Sequence, residues 1–358
     1  MAATPDRIRL GFVGAEHLHF GGLLTAALAS PTAEVVGVVA ADAELRTHVH
    51  TEHPEVALFE TADEFYESAA PQAIVTCADN RRAAEVVADA AARGVHVMKE
   101  KPMAADVALA EQMATVTARH GVRLMINWPT NWNAGIHTAK RLVDDGAIGR
   151  VLGLYHRAGH GGPPADFADR GPVARIGWGW LIDRDANGGG AAIDFCSYGA
   201  ALARWFIGQP SQVVALGGRY AKDFFTVEDN ATMLLGYPRA HCVVEGSWTQ
   251  PAVPTRMPTM IYGESGSIAL SGGEVLLANT GGPGQVSSAD SESVPVDELP
   301  AHYRSAPDYF TYCLLHDEPF TALVSVENSR DAQEILDAGL QAMTTGARVS
   351  LPLPTFAD

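Results

Sequence analysis

Val95-His96-Val97-Met98-Lys99-Glu100-Lys101-Pro102 is a short apolar run that ends in a cluster of charge and a proline. A run of this length, rich in β-branched residues and closed by proline, reads as a buried strand. The charged residues then fall at its carboxyl end. In open α/β sheets that edge is where cofactors and substrates bind, so a lysine held by a following proline is a candidate catalytic group, with a solvated surface lysine as the plainer alternative.

Working outward, the flanking sequence repeats the same grammar. The pattern predicts strands at Ile8 to Val13, Val35 to Ala40, near Val56 to Phe59, Ala73 to Thr76, Val95 to Met98 and Val122 to Ile126. Helical stretches separate them, including Arg81 to Arg93 closed by Gly94 and Asp106 to His120 closed by Gly121. Thr61 followed by Glu64 has the spacing of a capping box. Strands alternating with helices in this way predict a doubly wound parallel sheet.

Beyond a helix ending near Asp145-Gly146 the alternation stops. Strand-like runs follow one another at Val151 to Arg157, Val213 to Gly217, Ala231 to Leu235, Cys242 to Trp248 and Met260 to Tyr262, which predicts an antiparallel sheet. A helix over Gly190 to Phe206 interrupts it and another, Ser325 to Met343, follows it. Ser271 to Ser293, rich in Gly and Ser, reads as hairpin loops. The expectation is two domains, residues 1–126 and 127–358, the second α+β.

At 358 residues the chain suits two ordinary domains. A formal charge of −17 and the lack of a basic stripe argue against a nucleic-acid partner. No apolar run reaches the ~18 residues that cross a bilayer, and the start has no signal-like pattern, so the expected location is cytoplasmic. Cys77, Cys196, Cys242 and Cys313 are scattered without a CxxC pair, which disfavours a disulfide framework or a zinc site. Two histidine groups, His17 with His19 and His48, His50 with His53, have spacings that do not favour a metal, and none is expected.

Gly11-Phe12-Val13-Gly14-Ala15-Glu16-His17-Leu18-His19 sits where the first strand meets the first helix, the place of a phosphate-binding turn. The match to GxGxxG is incomplete: Glu16 and His19 stand at the second and third glycine positions. Asp42, at the end of the second strand, is either the acid that binds a ribose 2′-hydroxyl or the N-cap of the next helix. Arg46 lies one helical turn on. NAD is favoured, with NADP as the alternative.

Taken with Glu100-Lys101-Pro102 and the predicted second sheet, these features resemble the Gfo/Idh/MocA family of oxidoreductases. Gly146-Ala147-Ile148-Gly149, Gly188-Gly189-Gly190, Gly263-Glu264-Ser265-Gly266-Ser267-Ile268 and Leu351-Pro352 extend the likeness over nearly the whole chain. The resemblance implies an N-terminal Rossmann domain and a C-terminal α+β domain with a large, mostly antiparallel, open-faced sheet. It implies dinucleotide contacts from Gly11, Gly14, Ala15, His17, Leu18, Asp42, Cys77, Ala78, Asp79, Glu100, Lys101 and Asn127. It also implies a cis peptide between Lys101 and Pro102 and a homodimer or homotetramer built on the open sheet face.

In that family the lysine of Glu-Lys-Pro is catalytic, and an Asp-x-x-x-His pair follows the triple glycine. Here the pair is Asp194 and Tyr198. Residues four apart share a helix face, and tyrosine at this place resembles the branch that contains glucose-fructose oxidoreductase. A phenol titrates near 10, so a base working near pH 7 needs help worth about 3 pKa units, or roughly 4 kcal/mol. Nearby positive charge can supply it. The expected roles are Tyr198 as proton acceptor from a substrate hydroxyl, Lys101 as the group that orients it, and Asp194 as their orienter. Trp128, His160 and Trp180 join Asp194 and Tyr198 as candidate substrate contacts, with core packing the alternative for the tryptophans.

The expected activity is NAD(P)-dependent hydride transfer from a hydroxyl of a sugar, sugar derivative or cyclitol. A lyase or glycosidase that oxidises its substrate transiently could use the same residues. A non-catalytic dinucleotide-dependent regulator is the third reading, prompted by Glu16 and the missing histidine.

Overall fold

In a computed structural model the described residues are 7–250, 252, 259–271, 273–280 and 291–354. They form two compact units, neither of them a single stretch of chain. Unit 1 comprises Met1–Trp128, Pro163–Gly188 and Pro300–Arg330; unit 2 comprises Pro129–Gly162, Gly189–Leu299 and Asp331–Asp358. A boundary after residue 126 therefore separates the alternating region but leaves two later segments on the wrong side of the cut.

Unit 1 is built on strands β1 (Ile8–Val13), β2 (Ala33–Val39), β3 (Leu58–Phe59), β4 (Ala73–Thr76), β5 (His96–Glu100) and β6 (Leu124–Asn127). They lie in the order β3-β2-β1-β4-β5-β6 with every pairing parallel. This is the Rossmann order, whose topological switch point falls between β1 and β4. Leu10, Phe12, Ile74, Val75, Val97, Met98, Met125 and Ile126 are fully or almost fully buried, as strands covered on both faces require. Local signals set the helix ends: Thr61 accepts from the Glu64 N–H, Asp106 accepts from the Leu109 N–H, and Gly94 and Gly121 take positive φ. The fifth strand is longer than the sequence suggests. It runs through Lys99 and Glu100, which pair in register with Ile126 and Asn127.

The later segments join unit 1 through buried and half-buried polar contacts. Asn80 Nδ2 donates to Asn187 Oδ1 at 2.7 Å, Thr32 and Thr311 share a 2.7 Å hydroxyl bond, and Arg123 donates to the Cys313 carbonyl at 2.9 Å. One of these later segments carries the helix Pro172–Leu181.

Unit 2 carries β7 (Val151–Gly159), β8 (Gln212–Gly218), β9 (Asn230–Gly236), β10 (His241–Ser247), β11 (Thr259–Gly263), β12 (Gly266–Ser271), β13 (Glu274–Asn279), β14 (Glu292–Val294) and β15 (Val349–Ser350). The sheet order is β14-β13-β12-β11-β7-β10-β9-β8-β15. The described pairings are antiparallel except β7 with β10, which is parallel, so the sheet is mixed rather than wholly antiparallel. The stretch read as hairpin loops contains β13 and the start of β14, while residues 281–290 lie outside the described residues.

One face of this sheet is packed by helices. Gly199 and Gly246 let the helical segment from Ala192 approach: a Cβ on Gly199 would meet Val244 at 2.4 Å, and one on Gly246 would meet the Ala191 carbonyl at 2.5 Å. No helix among the described residues is long and apolar enough to cross a membrane.

Candidate active site

The turn after β1 has the geometry of a pyrophosphate cradle. Gly14 takes φ +85°, its N–H donates to the Val39 carbonyl at 3.1 Å, and a Cβ there would fall 2.8 Å from both the Ala78 nitrogen and Glu16 Oε2. Only glycine fits, for both conformational and steric reasons. The turn lies at the switch point of the sheet and leads into the helix Phe20–Leu28, which is the setting a dinucleotide phosphate needs.

Glu16 is the departure from the glycine pattern, and the fold answers its charge. Its Oε1 accepts from Arg82 Nη1 at 2.5 Å. Its Oε2 is buried over the turn with no hydrogen-bond partner among the described residues. Arg82 thus sets a cation beside the cradle, a residue that no sequence signal singled out. Trp180 Nε1 donates to the Glu16 carbonyl at 3.1 Å and the Trp180 ring lies 5.5 Å from His17. Trp180 therefore braces the turn.

His17, His19, Glu100 and Asn127 form a chain of contacts that joins the turn to the ends of β5 and β6. The His17 N–H donates to the Cys77 carbonyl at 2.9 Å, and His17 Nδ1 accepts the His19 N–H at 3.0 Å. His19 Nδ1 lies 2.8 Å from Glu100 Oε1, and Glu100 Oε2 accepts from Asn127 Nδ2 at 2.5 Å. Burial holds His17 well below the usual imidazole range, with the charges of His19 and Lys101 acting the same way. Two imidazoles and a carboxylate with ligand atoms within 4.8 Å of one another have the composition of a metal site. The hydrogen bonds give these groups another occupation: His17 Nδ1 is already an acceptor, and both Glu100 oxygens are engaged.

Lys101 is nearly buried, its N–H donates to the Asn127 carbonyl at 3.2 Å, and its bond to Pro102 is cis, as the resemblance implied. Cys77, Ala78 and Asp79 follow β4 at the same sheet edge, and Asp79 Oδ1 caps the next helix through the Arg81 and Arg82 N–H groups. Burial pushes the Cys77 thiol up, so it remains protonated.

Asp42 is the N-cap of the helix Ala43–Glu52, accepting the Leu45 N–H on Oδ1 at 2.9 Å. Its Oδ2 pairs with Arg175 at 3.3 Å, and Arg175 also reaches Glu44 at 2.9 Å. The Leu45 bond first, and Arg175 after it, hold the carboxyl below its ordinary value. A carboxylate has about four lone-pair directions. Capping therefore leaves Asp42 room to accept a ribose hydroxyl. Arg46 turns back to the Ala40 and Ala41 carbonyls, at 2.6 and 2.8 Å.

In unit 2 the segment carrying Asp194 and Tyr198 begins as a π-helix, Ala192–Cys196, and continues as the α-helix Ser197–Ile207. The helix expected over Gly190 to Phe206 thus opens with a π-turn that carries Asp194, a geometry frequent at functional sites. The segment is pinned at its start. Glu228 Oε1 accepts the Gly190 N–H at 2.6 Å and the Ala192 N–H at 3.2 Å. Asp194 is buried and Oδ2 accepts from Trp248 Nε1 at 2.9 Å, which fixes the carboxylate with a donor that carries no charge. Trp248 was read only as the end of a strand; the one signal for it was its place after β10.

Phe195 stacks beside Tyr198 at 6.2 Å between centroids, and the His160 ring meets Phe195 edge-on at 4.8 Å. His160 Nδ1 accepts the Gly162 N–H at 2.8 Å. His156, its neighbour on β7, is pulled down to about 4 by burial and lies 3.0 Å from Thr259 Oγ1. Trp128 does not fit a substrate wall. It is wholly buried in unit 1, with Nε1 donating to Ser329 Oγ at 3.0 Å. An indole is one of the largest apolar surfaces a core can fill, provided its N–H finds an acceptor.

Two family descriptions match the chain: "Oxidoreductase family, NAD-binding Rossmann fold" over residues 8–128, and "GFO/IDH/MocA C-terminal domain" over residues 136–269. Among curated proteins, the D-xylose 1-dehydrogenase [NADP(+)] of Haloarcula marismortui is 26% identical over 233 residues, covering 63% of this chain and 62% of that protein. The match thus spans less than two thirds of that relative's length. Among solved structures, the aldose-aldose oxidoreductase from Caulobacter crescentus, complexed with glycerol, superposes with a TM-score of 0.78 at 21% identity, over 96% of this chain and 100% of that one. The WlbA dehydrogenase from Bordetella pertussis, in complex with NADH and UDP-GlcNAcA, gives 0.77 at 20% identity, over 98% and 99%.

Proposed function

The chain belongs to the Gfo/Idh/MocA family of oxidoreductases, and we propose that it is an NAD-dependent dehydrogenase acting on a hydroxyl of a sugar, sugar derivative or cyclitol. The observation that carries this reading is the pairing of a glycine-only cradle at the switch point of the parallel sheet with a buried lysine at the end of β5. The glycine turn, Asp42 and the segment Cys77 to Asp79 would hold the dinucleotide, and a bound nicotinamide supplies the hydride acceptor.

The protein's own part is proton handling and orientation. Tyr198 takes the substrate hydroxyl proton, Lys101 has the role of a hydrogen-bond donor to the substrate, and Asp194, held by Trp248, that of an orienter. Support comes from the residue types, the π-turn at Asp194 and the sugar dehydrogenases among the relatives. The test is absorbance of reduced nicotinamide with a panel of aldoses, inositols and glycosides. Accumulation with one class supports net oxidation; turnover without it, with an elimination product, overturns it.

NAD is the proposed cofactor because Asp42 and Glu44 place two carboxylates beside the second strand's end, and Arg175 is already paired with both. The kcat/KM for NAD is expected to exceed that for NADP by at least about tenfold, equivalent to roughly 1.4 kcal/mol. A preference for NADP in steady-state kinetics would show that Arg175 serves a 2′-phosphate instead.

The helix-free face of the unit 2 sheet exposes Tyr155, Val214, Leu216, Leu234 and Tyr262, with Leu216 at 73% exposure. Val214 and Leu234 are cross-strand partners, and the Tyr155 and Tyr262 rings lie 5.6 Å apart. Apolar patches of this extent mark interaction sites. A second copy of the chain is the proposed occupant, giving a dimer or tetramer. Sedimentation at micromolar concentration is expected to show no 37.9 kDa monomer as the main species, and a monomer there would refute the assignment.

A further inference from the structure

We infer that Lys99, two residues before the proposed catalytic lysine, is a positioning residue that anchors the Lys101-Pro102 segment as an uncharged amine. The inference rests on the dehydrogenase reading. Lys99 is fully buried, and Nζ has two hydrogen bonds among the described residues, to Asn80 Oδ1 at 2.7 Å and to the Pro102 carbonyl at 2.6 Å. Asn80 is itself fully buried and passes the contact on, donating from Nδ2 to Asn187 Oδ1, while Asn187 donates to the Leu181 carbonyl at 2.9 Å. One side chain thus ties the carbonyl next to Lys101 to the segment after β4 and, through it, to the end of the helix Pro172–Leu181.

The number of acceptors bears on the charge. A neutral amine has two N–H bonds, one for each acceptor, whereas an ammonium has a third that needs a partner. No carboxylate bonds to Nζ among the described residues. The ionisable groups around it are Glu100 and Lys101 on its own segment, Cys77 and Asp79 after β4, and His17 on the turn after β1. Glu100 is engaged by His19 and Asn127, Cys77 stays protonated, and Lys101 repels a second positive charge. Burial is the largest influence and draws the ammonium down to about 7.

The consequence for catalysis follows from sign. With Lys99 neutral, Lys101 alone presents positive charge to the substrate oxygen. As pH falls through about 7, Lys99 takes a proton, the third N–H has no acceptor among the described residues and a like charge appears beside Lys101. Turnover therefore falls on the acid side for a reason outside the proton-accepting residue.

The test begins without any substrate. The chain has four lysines, Lys99, Lys101, Lys140 and Lys222, so 13C-lysine labelling gives a sparse set of ε-carbon resonances. The resonance missing from Lys99→Met is expected to titrate near 7; a midpoint near the ordinary value of about 10.4 overturns the inference. In kinetics, the acid limb of kcat is expected to lose its Lys99 component in Lys99→Met, leaving that of the proton acceptor, and to move up by about one pH unit or more in Asn80→Asp, whose carboxylate would favour the ammonium. A limb unmoved in both variants, with kcat merely lowered at every pH, means that Lys99 is structural only. If Lys99→Met does not fold, the Asn80→Asp shift of the lysine resonance decides alone. Absence of turnover in the unaltered protein would count against the dehydrogenase reading and leave the resonance test standing.

Discussion

Replacing Tyr198 with phenylalanine is expected to lower kcat by about 10²- to 10⁴-fold, the usual contribution of a positioned acid or base, with a smaller change in KM. The variant removes one oxygen. The ring keeps its place beside Phe195, and the bond between Asp194 and Trp248 involves neither atom lost. A uniform-binding role would instead raise KM and spare kcat. The measurement is steady-state formation of reduced nicotinamide on the best substrate of the panel, with circular dichroism to show an unchanged fold. A kcat within a few-fold of the parent would remove Tyr198 from the mechanism. Lys101→Met is the companion variant, and restoring a cation with Lys101→Arg should not rescue it fully, because a planar fork is not a point charge.

The second large effect is on stability and comes from the triple glycine. A Cβ on Gly190 would lie 2.1 Å from the Glu228 carbonyl oxygen and 2.9 Å from Val227 Cγ2. The obstacle is backbone, which cannot swing aside as a long side chain can. The same glycine donates its N–H to Glu228 Oε1, so relief of the clash would break the anchor of the π-turn. Gly190→Ala is expected to cost about 3 kcal/mol, at the upper end of ordinary overpacking. For a chain of this size that corresponds to a fall in Tm of roughly 4 °C. Calorimetry that finds Tm within a degree or two of the parent would mean the segment shifts without penalty. If the variant folds, its kcat should fall as well, since Asp194 begins one helical turn later.

How much of this was legible in the chain depends on the range of the interactions involved. The parallel sheet was legible because its evidence is local. Strand periodicity, the caps at Thr61 and Asp106, and the glycines at 94 and 121 each involve residues within a few positions of one another. The resemblance to the family was likewise readable from short motifs. Asp42 was readable only as two alternatives, because a cap and a ribose acid have the same local sequence. Geometry shows the cap, and the lone pairs leave the second role open to experiment.

What could not be read is what depends on distant partners. Nothing near Pro172 announces that its segment joins the first unit, since the contacts that bring it there are made by Asn80 and Arg81, about a hundred residues away. The parallel pairing of β7 with β10 is of the same kind, because it joins strands separated by several helices and two further strands. The π-turn owes its anchor to Glu228, and Asp194 owes its orientation to Trp248, both far along the chain.

The sequence by itself determined the family, the alternation that builds the first sheet, and the residue types at Gly14, Lys101, Asp194 and Tyr198, because these are written in spacings and steric needs a few residues long. Only the tertiary structure decided which charges are buried and how they are answered: Glu16 by Arg82, Glu100 by His19 and Asn127, and Lys99 by two neutral acceptors. Burial and hydrogen-bond supply are properties of the whole packing, and the charge state of a side chain follows from them.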